Sequence, residues 1–238
     1  TEKDLNEDFK EYVNSLLKLG KKKGYGYWVW QTFFHKKILS KMNEGDIYHW
    51  CDVGCHFNKK GIWRLKEYIE IVEQDRNGCL FFSYKKPTLE KKFSKYNFPN
   101  NLEIEYTKAD LINYFNLNDS HEIILSPQVW GGSFFLRKCI ISENLMKEHF
   151  NITRNRYDLI DDDESKFVKN SYPEFKAHRH SQSILSILAK KINCDFISAY
   201  ESEWALDESG QRTFDHLDNY PIIARRDKKR NIFLRFID

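Results

Sequence analysis

Ile47-Tyr48-His49-Trp50-Cys51-Asp52-Val53-Gly54 reads as a mostly buried strand that runs into a glycine turn, with a carboxylate at its tip. An open α/β sheet binds its ligands in the crevice beyond the carboxyl ends of its strands. Asp52 at such an end can hold a divalent cation that bridges two phosphates, or it merely caps the turn, a common place for Asp. Upstream, Leu5, Phe9, Tyr12, Val13 and Leu16 recur at helical spacing until Gly20 and a run of lysines stop them. The block Gly24-Tyr25-Gly26-Tyr27-Trp28-Val29-Trp30 follows, and a second helix spans about residues 32–42. Downstream, Ile62, Leu65, Tyr68, Ile69 and Val72 mark a helix leading to a strand at Cys79-Leu80-Phe81-Phe82. A helix over 109–115 leads to a strand at Glu122-Ile123-Ile124-Leu125, and Ser133-Phe134-Phe135-Leu136 forms another after Gly131-Gly132. The acidic loop Asp161-Asp162-Asp163-Glu164, a helix carrying Ile184, Leu185, Ile187, Leu188 and Ile192, and a strand at Phe196-Ile197-Ser198-Ala199-Tyr200 complete the alternation. This pattern predicts an α/β fold: a single domain over residues 1–238, three-layered, with a mainly parallel central sheet.

Composition bounds the function. The 238 residues suffice for one such domain and are too few for two ordinary ones. Hydrophobic residues make up 41% and charged residues 31%, a balance that excludes a disordered chain. The 38 Lys and Arg are offset by 35 Asp and Glu, so the one-sided field of a duplex-DNA binder is missing and no nucleic-acid partner is expected. No apolar run approaches membrane-spanning length, and the polar start Thr1-Glu2-Lys3-Asp4 is unlike a signal peptide. Cys51, Cys55, Cys79, Cys139 and Cys194 are odd in number and form no CxxC pair, which predicts reduced thiols in a cytoplasmic protein. Aromatic residues reach 16%, serving either a Phe-rich core or the stacking faces of a sugar-nucleotide site.

Further candidate residues gather in four blocks. Tyr27, Trp28 and Trp30 are either stacking groups or core. In Tyr106-Thr107-Lys108-Ala109-Asp110, Lys108 and Asp110 belong to a ligand pocket or to a helix start. In Gln128-Val129-Trp130-Gly131-Gly132, the glycines let backbone approach a ligand closely or simply make a tight turn. His178-Arg179-His180-Ser181-Gln182-Ser183 precedes a helix, with Ser181 as its expected N-cap. An anion is favoured at such a helix start, and His178, Arg179 and His180 add positive or switchable charge.

These blocks, in their order and spacing, resemble a family of bacterial GT-A-type glycosyltransferases that build surface polysaccharides, capsule and lipopolysaccharide among them. The match runs over roughly residues 20–190 and includes Glu44-Gly45-Asp46-Ile47 and Trp50-Cys51-Asp52-Val53-Gly54-Cys55-His56-Phe57-Asn58. It implies a GT-A-like three-layer sandwich, a nucleotide-diphosphate-sugar donor, a glycan or lipid-linked glycan acceptor, and Mn2+ or Mg2+. Asp52 stands where related enzymes carry the first Asp of an Asp-x-Asp metal motif. Gly54 takes the second acidic place, and His216 is the candidate to complete the site. The resemblance makes Asp52, Ser181 and Gln182 the catalytic set, with the remaining block residues binding substrate. Ser181 stands where the family usually has Asp, and a hydroxyl is no carboxylate base near neutral pH. Either another carboxylate acts, or the chain is a catalytically impaired nucleotide-sugar or glycan binding protein of the same fold. No apolar strand precedes Gly24, so the first N-terminal strand of that fold is expected to be missing.

Two weaker expectations remain. Lys21, Lys22, Lys23 and the tail Arg225, Arg226, Lys228, Lys229, Arg230 are either solvated or touch anionic lipid at the inner face of the cytoplasmic membrane. His49, Cys51, Cys55 and His56 form a zinc candidate whose spacing matches no standard finger.

Overall fold

The computed structural model describes residues 2–87, 93–117, 121–165 and 172–225, so Arg226, Lys228, Lys229 and Arg230 lie outside the described residues. In chain order the helical segments are α1 (Glu7–Lys18), α2 (Gly24–Tyr27), α3 (Val29–Leu39), α4 (Ile62–Gln74), α5 (Glu103–Tyr106), α6 (Ala109–Tyr114), α7 (His121–Ile124), α8 (Ile140–Asn155) and α9 (Ser181–Lys191). The strands are β1 (Ile47–Cys51), β2 (His56–Phe57), β3 (Cys79–Ser83), β4 (Val129–Arg137), β5 (Asp195–Ser198), β6 (Ala205–Leu206), β7 (Arg212–Thr213) and β8 (Ile222–Ile223).

Four strands form the main sheet in the order β1-β4-β3-β5. β4 runs antiparallel to both β1 and β3, while β5 lies parallel to β3. β1, β3 and β5 therefore point the same way and β4 is reversed between them. The expected mainly parallel sheet is thus a mixed one. Periodicity identifies a strand but carries no sign of its direction, and β4 inserts between two strands that precede it in the chain.

Side chains alternate across this sheet. Phe81, Phe134 and Leu136 face one apolar layer with Val13 of α1, Leu39 of α3, Met146 of α8 and Leu185 of α9. Leu80, Phe82 and Phe135 face the other, with Tyr68 and Val72 of α4 and Tyr200, Leu217 and Ile222 beyond β5. Helices cover both faces of the middle, and all five positions of β3 are buried. β1 is half-buried throughout rather than mostly buried, because it is an edge strand.

Two segments depart from the sequence reading. Residues 121–124 are the helical turn α7 rather than part of a strand, since a short apolar run fits either period. α8, sixteen residues long, was not anticipated. Its buried face mixes Leu145, Met146 and Ile152 with His149 and Thr153, so its apolar stripe is interrupted.

α2 is the least ordinary element. Gly24, Tyr25, Gly26, Tyr27 and Trp28 have φ of 56°, 56°, 82°, 54° and 64°, a run in the left-handed region. Amides of Tyr27 and Trp28 donate to the carbonyls of Lys23 and Gly24 at 2.7 and 3.1 Å, which closes the turn. The left-handed form costs each non-glycine residue roughly 1–2 kcal/mol. Burial of Tyr27 and a bond from Trp30 Nε1 to the Gly24 carbonyl at 3.1 Å offset that strain. A Cβ on Gly24 would meet the Trp28 ring at 2.4 Å. Gly24→Ala is therefore expected to lower the free energy of unfolding by about 1–3 kcal/mol, read from urea denaturation. An unchanged midpoint and slope would contradict this account of the turn.

Candidate functional site

Asp52 follows β1 directly, and its N–H donates to the Gly132 carbonyl at 2.8 Å. The turn after it closes through the backbone, the Cys55 N–H donating to the Asp52 carbonyl at 2.9 Å. Gln31 Nε2 lies 3.5 Å from Asp52 Oδ1, a long contact at the outer limit of hydrogen bonding. One step along β3, from Phe81 to Phe82, moves the β4 partner from Phe134 to Trp130. Gly131, Gly132 and Ser133 thus leave the β3 ladder and bulge beside Asp52. A Cβ on Gly132 would stand 2.3 Å from the Trp130 ring, so only glycine fits under that indole.

α9 brings the third wall. His180 precedes it with φ 54° and ψ −130°, a conformation costly for any residue with a side chain. Ser181 is the first helical residue and not the expected cap. It is buried, and its carbonyl accepts from His149 Nε2 at 2.9 Å. The amides of Gln182 and Ser183 already donate to the carbonyls of Arg179 and His180. The helix start therefore presents fewer open N–H groups than a bare N-terminus would.

A buried polar network fixes these walls. Glu103, 1% exposed, accepts from Thr107 Oγ1 at 2.5 Å, Gln128 Nε2 at 3.2 Å and Lys190 Nζ at 2.8 Å, and also from Ser186. Gln128 Nε2 donates on to Ser183 Oγ at 3.0 Å. Gln128 Oε1 accepts from Gln182 Nε2 at 3.0 Å, and Gln182 Oε1 accepts the Gly131 N–H at 3.1 Å. Gln182, expected to act on substrate, spends both ends of its amide holding the bulge in place.

Together the three walls enclose a cavity of about 380 Å³. Asp52, Trp130, Gly131 and Gly132 line it from the sheet, Trp28 from the left-handed turn, and His178, Arg179, His180, Ser181 and Gln182 from the approach to α9. Ten residues singled out in the sequence thus meet in one place. Gln31, His35 and His149 join them from α3 and α8, and none of these was expected.

The histidines there are not charge donors. His178 Nδ1 accepts the Lys108 N–H at 3.2 Å while Nε2 donates to the Leu159 carbonyl at 2.8 Å, an arrangement only the neutral ring satisfies. Burial pushes His178 down to about 3 and His149 to about 4, and it lowers His35 and His180 too. The expectation of switchable positive charge at His178 and His180 is corrected accordingly. Arg179 supplies fixed charge, its guanidinium lying 4.4 Å from the Tyr106 ring. Lys23 also lines the cavity but pairs with Asp162 at 2.9 Å.

Other expected residues stand elsewhere. Tyr27 is buried with its ring 4.7 Å from that of His180, a support beneath the cavity. Trp30 ties α3 to the left-handed turn and does not line the cavity. Asp110 is buried in the first turn of α6, and Lys108 lines a neighbouring cavity. His216 does not join Asp52 in the cavity lining: its ring packs among Phe93, Tyr96 and Phe98, with Nε2 3.0 Å from the Tyr200 carbonyl. Of the zinc candidate, Cys51 and Cys55 stay in hydrogen-bond contact, but the two histidines turn to other partners. His49 stacks on Phe135 and bonds Ser133, while His56 bonds the Arg225 carbonyl. Among the described residues no three His, Cys, Asp or Glu side chains group as a metal site. The five cysteines are free thiols.

Glu203 was missed. It stands five residues beyond β5 in Glu201-Ser202-Glu203-Trp204, past a 3-10 turn, so no strand-tip signal in the sequence marks it. Burial raises its carboxyl to about 7, with Arg179 opposing the rise and the charge of Asp52 adding to it. No family model matches the chain, nor does any curated protein or solved structure.

The raised carboxyl keeps its proton in the fold at pH values where the unfolded chain, near 4.5, has lost it. Its contribution therefore makes stability fall as pH rises from about 4.5 to about 7. Glu203→Gln is expected to melt higher than the parent at pH 8 and at the same temperature at pH 4. A constant difference across that range would place the Glu203 carboxyl in water.

Proposed function

We propose that the chain is a GT-A-type glycosyltransferase, moving a sugar from a nucleotide-diphosphate-sugar donor to a glycan or lipid-linked glycan acceptor. The observation that carries this reading is the meeting of Asp52, the Gly131-Gly132 bulge, Arg179 and the start of α9 around one cavity of about 380 Å³. That cavity lies at the carboxyl end of β1, where Asp52 stands, and open α/β sheets receive ligands beyond such strand ends. The Arg179 guanidinium in the lining gives a diphosphate a positive partner, while the glycines of the bulge make room for Trp130 and Gln182.

Asp52 is the one carboxylate of the family's metal motif present here, and among the described residues no other acid lines the cavity. Such a site suits Mg2+ or Mn2+ shared with donor phosphates and water, since Mg2+ is often held by one or two carboxylates plus substrate phosphates. A bound ion there would neutralise charge on the leaving diphosphate. For the chain's own residues, Arg179 orients the diphosphate, Trp28 and Trp130 wall the cavity against water, and Gln182 positions Gly131. Glu203, whose carboxyl burial raises to about 7, lies outside the lining of this cavity.

A second reading, a binding protein of the same fold with little turnover, draws support from buried Ser181 and from the fully engaged Gln182 amide. Peripheral membrane contact through Lys21–Lys23 belongs to the transferase reading, with Lys22 exposed between two ion-paired neighbours. Lys21 pairs with Asp161 and Asp163, and Lys23 with Asp162. Among the described residues no helix is long and apolar enough to cross a membrane.

Thermal shift with UDP, GDP, CDP and Mn2+ or Mg2+ tests the transferase reading. A metal-dependent rise in melting temperature is expected for one diphosphate, lost in Asp52→Ala and reduced in Arg179→Ala. An equal rise in Asp52→Ala would remove that carboxylate from the site. Release of nucleoside diphosphate from the matching sugar nucleotide then separates an enzyme from a binding protein.

A further inference from the structure

A second cavity, of about 450 Å³, opens beside the first. Lys23 and His178 line both. Its volume falls in the range of small-molecule pockets, roughly 300–1,000 Å³. One wall is apolar: Tyr172, Phe175 and Ala177 stand there, and Phe175 remains 41% exposed. An aromatic side chain left that open beside a cavity has contact area to give to a ligand.

The rest of the lining is polar, and its lysines are paired. Lys108 bonds Asp161 at 2.9 Å with both side chains 7% exposed, Lys23 bonds Asp162 at 2.9 Å, and Lys21 bonds Asp163. Glu164 adds a fourth carboxylate to a lining that holds two lysines, Lys23 and Lys108, while Lys21 reaches Asp163 from outside it. The balance, two lysines against four carboxylates in the lining, leaves no surplus cation for a phosphate or a uronate. It leaves carboxylate oxygens that accept hydrogen bonds strongly from neutral hydroxyls. An aromatic wall together with carboxylate acceptors suits a ligand with C–H faces and many hydroxyl groups.

We propose that this second cavity binds a neutral glycan, and that it is the acceptor subsite of the chain. Neutral-sugar binding stands on the cavity alone, whereas the acceptor role rests on the transferase reading. The two cavities then divide the substrates by charge, with Arg179 and the bulge on the diphosphate side and the aromatic wall on the sugar side. His178 and Lys23 stand between them, the imidazole neutral and the ammonium paired with Asp162.

The probes are methyl glycosides of glucose, galactose, mannose and N-acetylglucosamine, with methyl glucuronide as the anionic control, all at millimolar concentration. Saturation-transfer NMR is expected to detect at least one neutral glycoside and not the glucuronide. Phe175→Ala, at an exposed position that does not threaten folding, is expected to weaken that binding by roughly five- to tenfold, the size of one aromatic contact. Tyr172→Ala is expected to do the same. Absence of transfer from every neutral glycoside overturns the proposal. So does glucuronide binding as strong as the neutral sugars, or binding that survives both substitutions. The diphosphate thermal shift of the parent should persist in Phe175→Ala. Sugar binding without any diphosphate response would sink the transferase reading and leave the glycan site standing. A diphosphate response without sugar binding would sink the glycan site alone.

Discussion

Glu103 is a carboxylate with almost no exposure, and the geometry of the cleft depends on how it is satisfied. Unpaired, a charge so deeply buried would cost several kcal/mol. Thr107, Gln128, Ser186 and Lys190 share it, drawing together α5, the start of β4 and α9, segments far apart in the chain. Gln128 then passes the constraint to Gln182, and Gln182 to the Gly131 amide. The position of the bulge against Asp52 is thus set by a hydrogen-bonded chain that starts on the far side of α9. Removing one member would leave buried partners unsatisfied, which costs more than the bond itself contributes.

The cleft is also where backbone strain collects. The left-handed run from Gly24 to Trp28 and the unusual His180 backbone touch each other, with the Trp28 and His180 rings stacked at 5.5 Å. Strained residues persist where surrounding contacts over-determine them, and such places cluster at ligand sites. Here the aromatic packing of Tyr27, Trp28 and His180 supplies those contacts. Glycines at 24 and 26 lessen the cost in a turn that also carries three aromatic residues.

Electrostatically, the cleft works by subtraction. Four histidines line it and burial holds all of them neutral. The lysines of residues 21–23 that reach this region are drawn onto the acidic loop 161–163. That loop read as a solvated stretch in the sequence, yet it anchors the N-terminal segment and rims the second cavity. Against this quiet background Arg179 and Asp52 stand out.

By itself the sequence determined the α/β class, the positions of β1, β3 and β5, and the cluster of residues that meet around Asp52. Those features are local or periodic: an apolar run, a strand tip, glycines beside a tryptophan. Only the tertiary structure decided the direction of β4, because hydrogen-bond polarity between strands leaves no trace in a one-dimensional pattern. It also decided the charge of each histidine, which follows from burial and from partners such as Leu159 and Ser181 that lie distant in the chain. His216 and Trp30 carried suitable chemistry in the sequence, but packing assigned them elsewhere. Glu203 gained its character from Arg179 and Asp52, neighbours that exist only once the chain has folded.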